Sequence, residues 1–420
     1  MKAVSLKSEQ HLKRSERNGL LDGIARKLIL DGHLKQLTRG RLIIIEGQEQ
    51  YVFGQNTSTD EFTVTINVNS PRFYGDLAFG GSIGAGEAWM QGYWDCDNLV
   101  NLVRLMVRNR QILDDMEGPL TLFAKPLRKL SHMINRNTRN GARRNISAHY
   151  DLGNEFFSLW LDASMMYSCA IFEPADISLA QAQQVRLERV CQRLNLQQGD
   201  ELVEIGSGWG GLAIHAAREY GCKVTTVTIS SEQYEMAKRR VEDEGLTDQV
   251  TILMKDYRDL EGTYDKLISL EMIEAIGAEQ YDTYFAKCSA LLKPGGRMLI
   301  QAITIEDDRF EQYSRDVDFI QRYIFPGSCL PSVSVMNDSI KRVSDLIVTR
   351  VDDIGLHYAT TLRHWRDNFF AKIDHVRNLG YPETFVRMWE YYLCYCEGGF
   401  LEQSISDVLL VAEKPETAHI

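Results

Sequence analysis

The residues Glu204-Ile205-Gly206-Ser207-Gly208-Trp209-Gly210-Gly211 make a glycine-rich turn between a β-branched apolar run and an amphipathic helical pattern. Glycines let the backbone of such a turn approach a ligand closely, and the helix it opens presents free N–H groups. Ordinary strand-to-helix packing uses the same turn, but its place between a strand and a helix favours a nucleotide-like cofactor. A nicotinamide cofactor would want an acid closing the second strand to take its ribose hydroxyls. That strand instead ends Thr228-Ile229-Ser230-Ser231-Glu232-Gln233, which displaces the acid into the next helix. After the third strand, Lys255-Asp256-Tyr257 set a carboxylate and a ring where the edge and face of an adenine would lie; a helix cap and a core aromatic are the plainer alternatives. Glu274 stands just past the fourth strand, at the carboxyl edge where open sheets bind ligands, and its plainer role is to cap the following helix. Cys169 as a nucleophile would need a basic partner, and only His149 is near it in sequence, so an inert buried thiol is expected.

The elements that must position these groups begin near Asn145. From there helical patterns alternate with short β-branched runs, the signature of a doubly wound parallel sheet of the Rossmann-like α/β class. Strands are expected at Glu201–Ile205, Lys223–Ile229, Val250–Met254, Lys266–Leu270, Arg297–Ile303 and Val408–Ala412. Helices are expected near Leu179–Leu194, Gly211–Tyr220, Ser231–Glu244 and Glu279–Leu292. An insertion from Glu306 to Ile405, rich in aromatic residues, suits a hydrophobic lid or tunnel.

Upstream, the chain reads as a smaller α+β domain over residues 1–115, with a helix at Gly19–Leu37 and strands at Arg41–Glu46, Gln50–Phe53 and Phe62–Val68. It carries no evident nucleophile or metal constellation and suggests a docking module. Residues 116–145 link it to the domain spanning 146–420. Between Lys125 and Arg144 this linker holds seven Lys or Arg and no acid. It is either a solvated connector or a surface drawn to anionic lipid headgroups, each cation contributing on the order of 1 kcal/mol.

The 420 residues, 44% apolar and 25% charged, suffice for two cores. A net charge of −11 argues against a general nucleic-acid binder, which needs a cationic face. The polar, basic first residues do not read as a secretory signal, and no apolar run approaches a membrane span, so a cytoplasmic location is expected. The eight cysteines are scattered without a CxxC pair, which suggests neither a metal site nor a disulfide framework.

The sequence closely resembles the cyclopropane-fatty-acid and mycolic-acid cyclopropane synthases. The likeness rests on His149-Tyr150-Asp151-Leu152-Gly153-Asn154, Met166-Tyr167-Ser168-Cys169-Ala170, the Gly206–Gly211 turn, Thr228 to Gln233, and Asp256-Tyr257-Arg258-Asp259. It continues through Met272-Ile273-Glu274, Tyr281 to Phe285, Tyr323-Ile324-Phe325-Pro326 and Tyr391-Tyr392-Leu393, and reaches back to the stretch from Gly84 to Trp94. The first seventy residues look similar to the sterol-carrier-like modules that precede some members.

The resemblance implies transfer of a methyl group from S-adenosylmethionine to the double bond of an unsaturated acyl chain in phospholipid, with a cyclopropane ring as product. A methyl- or methylene-bearing chain and a small-molecule methyltransferase are the alternatives. It implies a homodimer working at the inner face of the membrane. The cofactor pocket would comprise Tyr167, Ser168, Glu204, Gly206, Gly208, Gly210, Thr228, Gln233, Asp256 and Tyr257, with Gln233 on the ribose. A bound bicarbonate would act as base, held by the backbone near Cys169, by Glu274, by Tyr358 and by a histidine; Cys396 matches a late active-site cysteine. Here the histidine position is Gln301, which can donate a hydrogen bond but cannot carry charge or shuttle a proton.

Methyl transfer to an alkene gives a carbocation, so the site must exclude water and withhold strong nucleophiles. Aromatic faces stabilise such a cation by about 0.5–2 kcal/mol each. Tyr150, Trp160, Tyr167, Trp209 and Tyr358 are candidates, and core packing is the plainer role of each.

Overall fold

A computed structural model describes residues 19–55, 62–112 and 152–416. The basic stretch Lys125–Arg144, His149 and Tyr150 lie outside the described residues. The chain divides into two compact units: Met1–Ile134 with Asp316–Ile324 and Ile373–Ser404, and Asn135–Arg315 with Phe325–Lys372 and Ile405–Ile420.

In the first unit a four-stranded sheet has the order β2-β1-β3-β4, with β1 Gly40–Glu46, β2 Glu49–Gln55, β3 Thr63–Val68 and β4 Trp94–Cys96. β1 runs antiparallel to β2 and parallel to β3. The Gly19–Lys27 helix continues through a π turn and a 3₁₀ turn to Gln36, so the expected helix is present with an irregular second half. The Arg72–Met90 helix is unforeseen in the sequence because its glycines disfavour helix, and it kinks at Gly81. Glycine is required there for contact: a Cβ on Gly86 would stand 2.5 Å from the Phe319 ring. Phe319 and Tyr391, from the segments 316–324 and 373–404, meet at a tilt with ring centroids 4.6 Å apart, and Tyr323 donates to Glu87 at 2.7 Å.

The expected lid from Glu306 to Ile405 is therefore not one body. Two of its segments complete the first unit, because their rings fill space that the small residues of Arg72–Met90 leave open. Gly398, on the Glu383–Leu401 helix, lies against the Leu99–Arg108 helix, where a Cβ would meet Val103 at 2.7 Å. Arg104 and Arg108 both donate to Glu402, holding its carboxyl below the usual range against the opposing effect of burial.

The second unit is an α/β fold around a seven-stranded sheet of order β10-β11-β9-β8-β5-β6-β7. Its strands are β5 Glu201–Ile205, β6 Lys223–Thr228, β7 Val250–Met254, β8 Tyr264–Leu270, β9 Leu292–Ile305, β10 Ile347–Asp353 and β11 Ile405–Glu413. β5 to β9 are parallel where they pair, but β11 is antiparallel to β9 and β10 to β11. The sheet is thus mixed rather than wholly parallel. β10 escaped the sequence reading because it is an edge strand exposed on most of its length, with no core alternation to mark it. The core on one face joins Val203, Ile205, Leu267, Met298 and Ile300 of the strands to Tyr284, Phe285 and Cys288 of the Tyr281–Leu291 helix.

Candidate active site

The glycine turn leaves β5 as expected. Gly206 and Ser207 both donate their N–H groups to Val227 O, at 3.1 and 2.8 Å, tying the turn to the end of β6. Gly206, Gly208 and Gly210 have positive φ, at 97°, 48° and 84°, a region that side chains rarely enter. Gly210 then starts the Gly211–Tyr220 helix. At the end of β6, Ser230 caps the Ser231–Asp243 helix, and Thr228 Oγ1 donates to Gln233 Oε1 at 2.9 Å. With its oxygen held, Gln233 is left with its NH₂ as the end that could serve a ligand.

Tyr257 is buried and its phenolic oxygen has no partner, which fits a group that awaits a ligand. Asp256 departs from the expected adenine role in part, since Arg258 donates to both its oxygens at 2.9 and 2.7 Å. Turn, Gln233 and Tyr257 together suit an adenosyl cofactor.

Two other expected cofactor residues sit in the interior of the unit. Ser168 Oγ accepts from Arg186 Nη2 at 3.0 Å, inside the unit. Glu204 is buried within β5, where desolvation pushes its carboxyl up to about 8. Tyr167 instead joins an aromatic wall. Its ring lies 5.2 Å from Trp365, 5.3 Å from Trp160 and 5.5 Å from Phe157, and Trp365 meets Tyr358 edge-on at 5.9 Å. Trp209 reaches the same wall through Phe157, at 5.2 Å.

The centre of the unit is a residue the sequence reading passed over. Glu271 follows β8 with φ 48°, a left-handed conformation that costs a residue with a Cβ roughly 1–3 kcal/mol and is held where structure or function demands it. Its N–H donates to Gln301 O at 2.8 Å. Its Oε1 accepts from the Cys169 N–H at 2.7 Å and from Gln301 Nε2 at 2.6 Å; its Oε2 accepts from the Tyr358 hydroxyl at 2.6 Å. Burial pushes this carboxyl up, and the donors from Tyr358 and Cys169 pull against that.

The backbone at Cys169, Tyr358 and the Gln301 position were expected to hold bicarbonate. All three already hold the Glu271 carboxylate, so bicarbonate does not fit, and the chain supplies the anion itself. A second carboxylate three residues before Glu274, at the same strand end, was the available signal.

Glu274 lies in the same cluster. Its Oε1 accepts from the Ile303 N–H at 2.5 Å and its Oε2 has no partner; desolvation, then the charge of Glu271, pushes it up to about 8. Gln301 Nε2 donates also to Asp407 Oδ2, at 2.8 Å, and Asp407 Oδ1 is buried without a partner. A charged residue at the head of the apolar β11 was the signal for Asp407. Cys169 is inert as expected: its thiol is fully buried, its Sγ faces Ala170 O at 3.2 Å, and burial holds it far above the range of a reactive thiolate. Cys396 belongs to the first unit, on the Glu383–Leu401 helix.

The sequence model of the family described as mycolic acid cyclopropane synthetase matches residues 137–409. Tuberculostearic acid methyltransferase UfaA1 of Mycobacterium tuberculosis (strain ATCC 25618 / H37Rv) is 38% identical over 328 residues, 76% of this chain and 76% of that protein. Cyclopropane-fatty-acyl-phospholipid synthase of Escherichia coli (strain K12) is 38% identical over 343 residues, 81% of this chain and 85% of that protein. The crystal structure of mycolic acid cyclopropane synthase CmaA1 complexed with SAH and CTAB superposes with a TM-score of 0.60 at 29% identity, covering 65% of this chain and 98% of that one.

Proposed function

Because this chain belongs to the mycolic acid cyclopropane synthetase family, we propose that it methylates the cis double bond of an unsaturated acyl chain in membrane phospholipid and closes a cyclopropane ring. Its methyl donor is S-adenosylmethionine, which when bound supplies an electrophilic methyl group. The Gly206–Gly211 turn, Gln233 and Tyr257 hold that donor. Tyr167, Trp160, Trp365 and Tyr358 keep water from the site and face the cation with π density, each contributing about 0.5–2 kcal/mol.

The observation that carries the reading is the Glu271 carboxylate, fixed by three donors in a buried, ring-walled site. A general base must be present where the cation sheds its proton, and burial makes this carboxylate more basic than one in water. The C–H bond of the new methyl group breaks, its electron pair closes the ring, and Glu271 takes the proton. The Cys169 thiol, protonated and buried, does not trap the cation.

A second reading keeps the first step and ends in a methylene-bearing chain or in a methyl group on a retained alkene. It is favoured by Glu271 and Gln301 standing where bicarbonate and histidine are expected, and by the name of the relative UfaA1. Acyl-chain analysis of cells expressing the protein separates the two, because hydrogenation alters a methylene product and a ring product retains no alkene. Unmodified acyl chains would overturn both.

The reading extends to docking at an anionic bilayer as a homodimer. Among the described residues no helix is long and apolar enough to cross a membrane. Support for docking comes from the cations between Lys125 and Arg144, and from Leu21, Ile24 and Leu28, which share an exposed helical face. Co-sedimentation with anionic vesicles and light scattering test the two parts.

A further inference from the structure

Glu271 and Asp407 are linked through one nitrogen. Gln301 Nε2 donates to Glu271 Oε1 at 2.6 Å and to Asp407 Oδ2 at 2.8 Å. The two carboxylates are unequally served. Glu271 also receives the Cys169 N–H and the Tyr358 hydroxyl, whereas Asp407 keeps a buried oxygen with no partner. Asp407 is fully buried on β11, and its own backbone is spent on the fold, its carbonyl accepting from the Ile354 N–H at 2.7 Å.

The charged groups that face this pair come from every element packed on it. Glu274 follows β8, Cys169 lies on the segment before the Leu179–Leu194 helix, Tyr358 is on the Gly355–Ala371 helix, and among the described residues Arg186 is the guanidinium whose charge reaches them most. Three carboxylates therefore confront one buried cation, and full ionisation would leave uncompensated charge in a dry site. Within the pair the carboxyl with fewer donors, Asp407, is the one that stays neutral, and Glu274, served by the Ile303 N–H and pushed up to about 8, stays neutral beside it below that pH.

We propose that Asp407 is a positioning residue of the reaction: it retains a proton and, through the shared Gln301 amide, confines the negative charge of the pair to Glu271. The inference rests on Glu271 being the base. The reaction delivers one positive charge, which enters on the sulfonium and leaves as the proton that Glu271 accepts. One anion at the pair matches it. Burial and the neighbouring charge of Glu271 both hold the Asp407 carboxyl well above the usual range, in agreement with the donor count.

The test is the pH dependence of turnover on unsaturated phospholipid vesicles, in the full chain and in Asp407→Asn. The wild type loses activity at low pH, as Glu271 is protonated, and again at high pH, as Asp407 ionises. Asp407→Asn is expected to lose the high-pH decline while its KM for S-adenosylmethionine stays within about twofold. A high-pH decline unchanged in Asp407→Asn overturns the proposal and leaves Glu271 as base untouched. Normal turnover in Glu271→Gln overturns the premise instead.

Should Asp407→Asn not fold, Gln301→Met takes its place. It removes the shared amide proton, which favours both charged forms, so both limbs of the profile move to higher pH. Limbs that stay in place overturn the proposal.

Discussion

Tyr358 donates its phenolic hydroxyl to Oε2 of Glu271 across 2.6 Å, joining the Gly355–Ala371 helix to the residue that ends β8. A hydrogen bond to a charged group is worth about 1.5–3 kcal/mol. Tyr358→Phe keeps the ring and removes that bond. Because the hydroxyl favours the ionised carboxylate, its loss raises the pKa of Glu271 and shifts the acidic limb of the rate profile to higher pH. Rates measured across pH with vesicle substrate check this, and turnover at neutral pH is expected to fall about tenfold.

Glu271→Gln preserves shape and hydrogen-bonding capacity but not basicity. Turnover is expected to fall by about 10²–10⁴-fold, the usual contribution of a positioned base. Glu271→Gly goes further and vacates the donors of Cys169, Gln301 and Tyr358; added formate or bicarbonate should then restore part of the activity. Equal activity of the glycine variant with and without added anion would count against these donors as an anion cradle.

In the proposed cofactor site Gln233 would bind through one end of its amide, the other being held by Thr228. Gln233→Ala should weaken S-adenosylmethionine binding by about three- to tenfold, the equivalent of one ordinary hydrogen bond. Calorimetric titration measures it, and an unaltered Kd would remove Gln233 from the cofactor site.

Glu204 provides a test of stability. Its folded carboxyl is pushed up to about 8, whereas an unfolded one titrates near 4.3. Above about pH 4.3 the unfolded chain sheds this proton and the folded chain does not, so stability is lost as pH rises toward 8. Glu204→Gln should match the wild type at about pH 4 and exceed it at about pH 8.5 by on the order of 2–4 kcal/mol. Thermal or denaturant melts at the two pH values decide it.

Local patterning was enough for much of the second unit. β5, β7 and the helices Leu179–Leu194 and Gly211–Tyr220 fall on their expected bounds, the strands as short β-branched apolar runs between turn residues and the helices by the spacing of their core-facing residues. The glycine turn was equally legible, since its conformation is imposed by residue type.

What escaped was set by distant partners. The Arg72–Met90 helix is made stable by the rings of residues 316–324 and 373–404, more than two hundred positions away. Local propensity cannot register such packing. The same long reach divided the expected lid between two units.

The sequence by itself determined the family and the glycine turn, and singled out Glu274, Tyr358, Cys169 and Gln301, which the fold brings together. Only the tertiary structure decided what they surround. Glu271 became the central carboxylate because the segment before the Leu179–Leu194 helix, β9 and the Gly355–Ala371 helix bring a backbone N–H, an amide and a phenol to it from positions 169, 301 and 358. Hydrogen bonds act over about 3 Å of space whatever the separation along the chain, so such convergence exists only in the folded state.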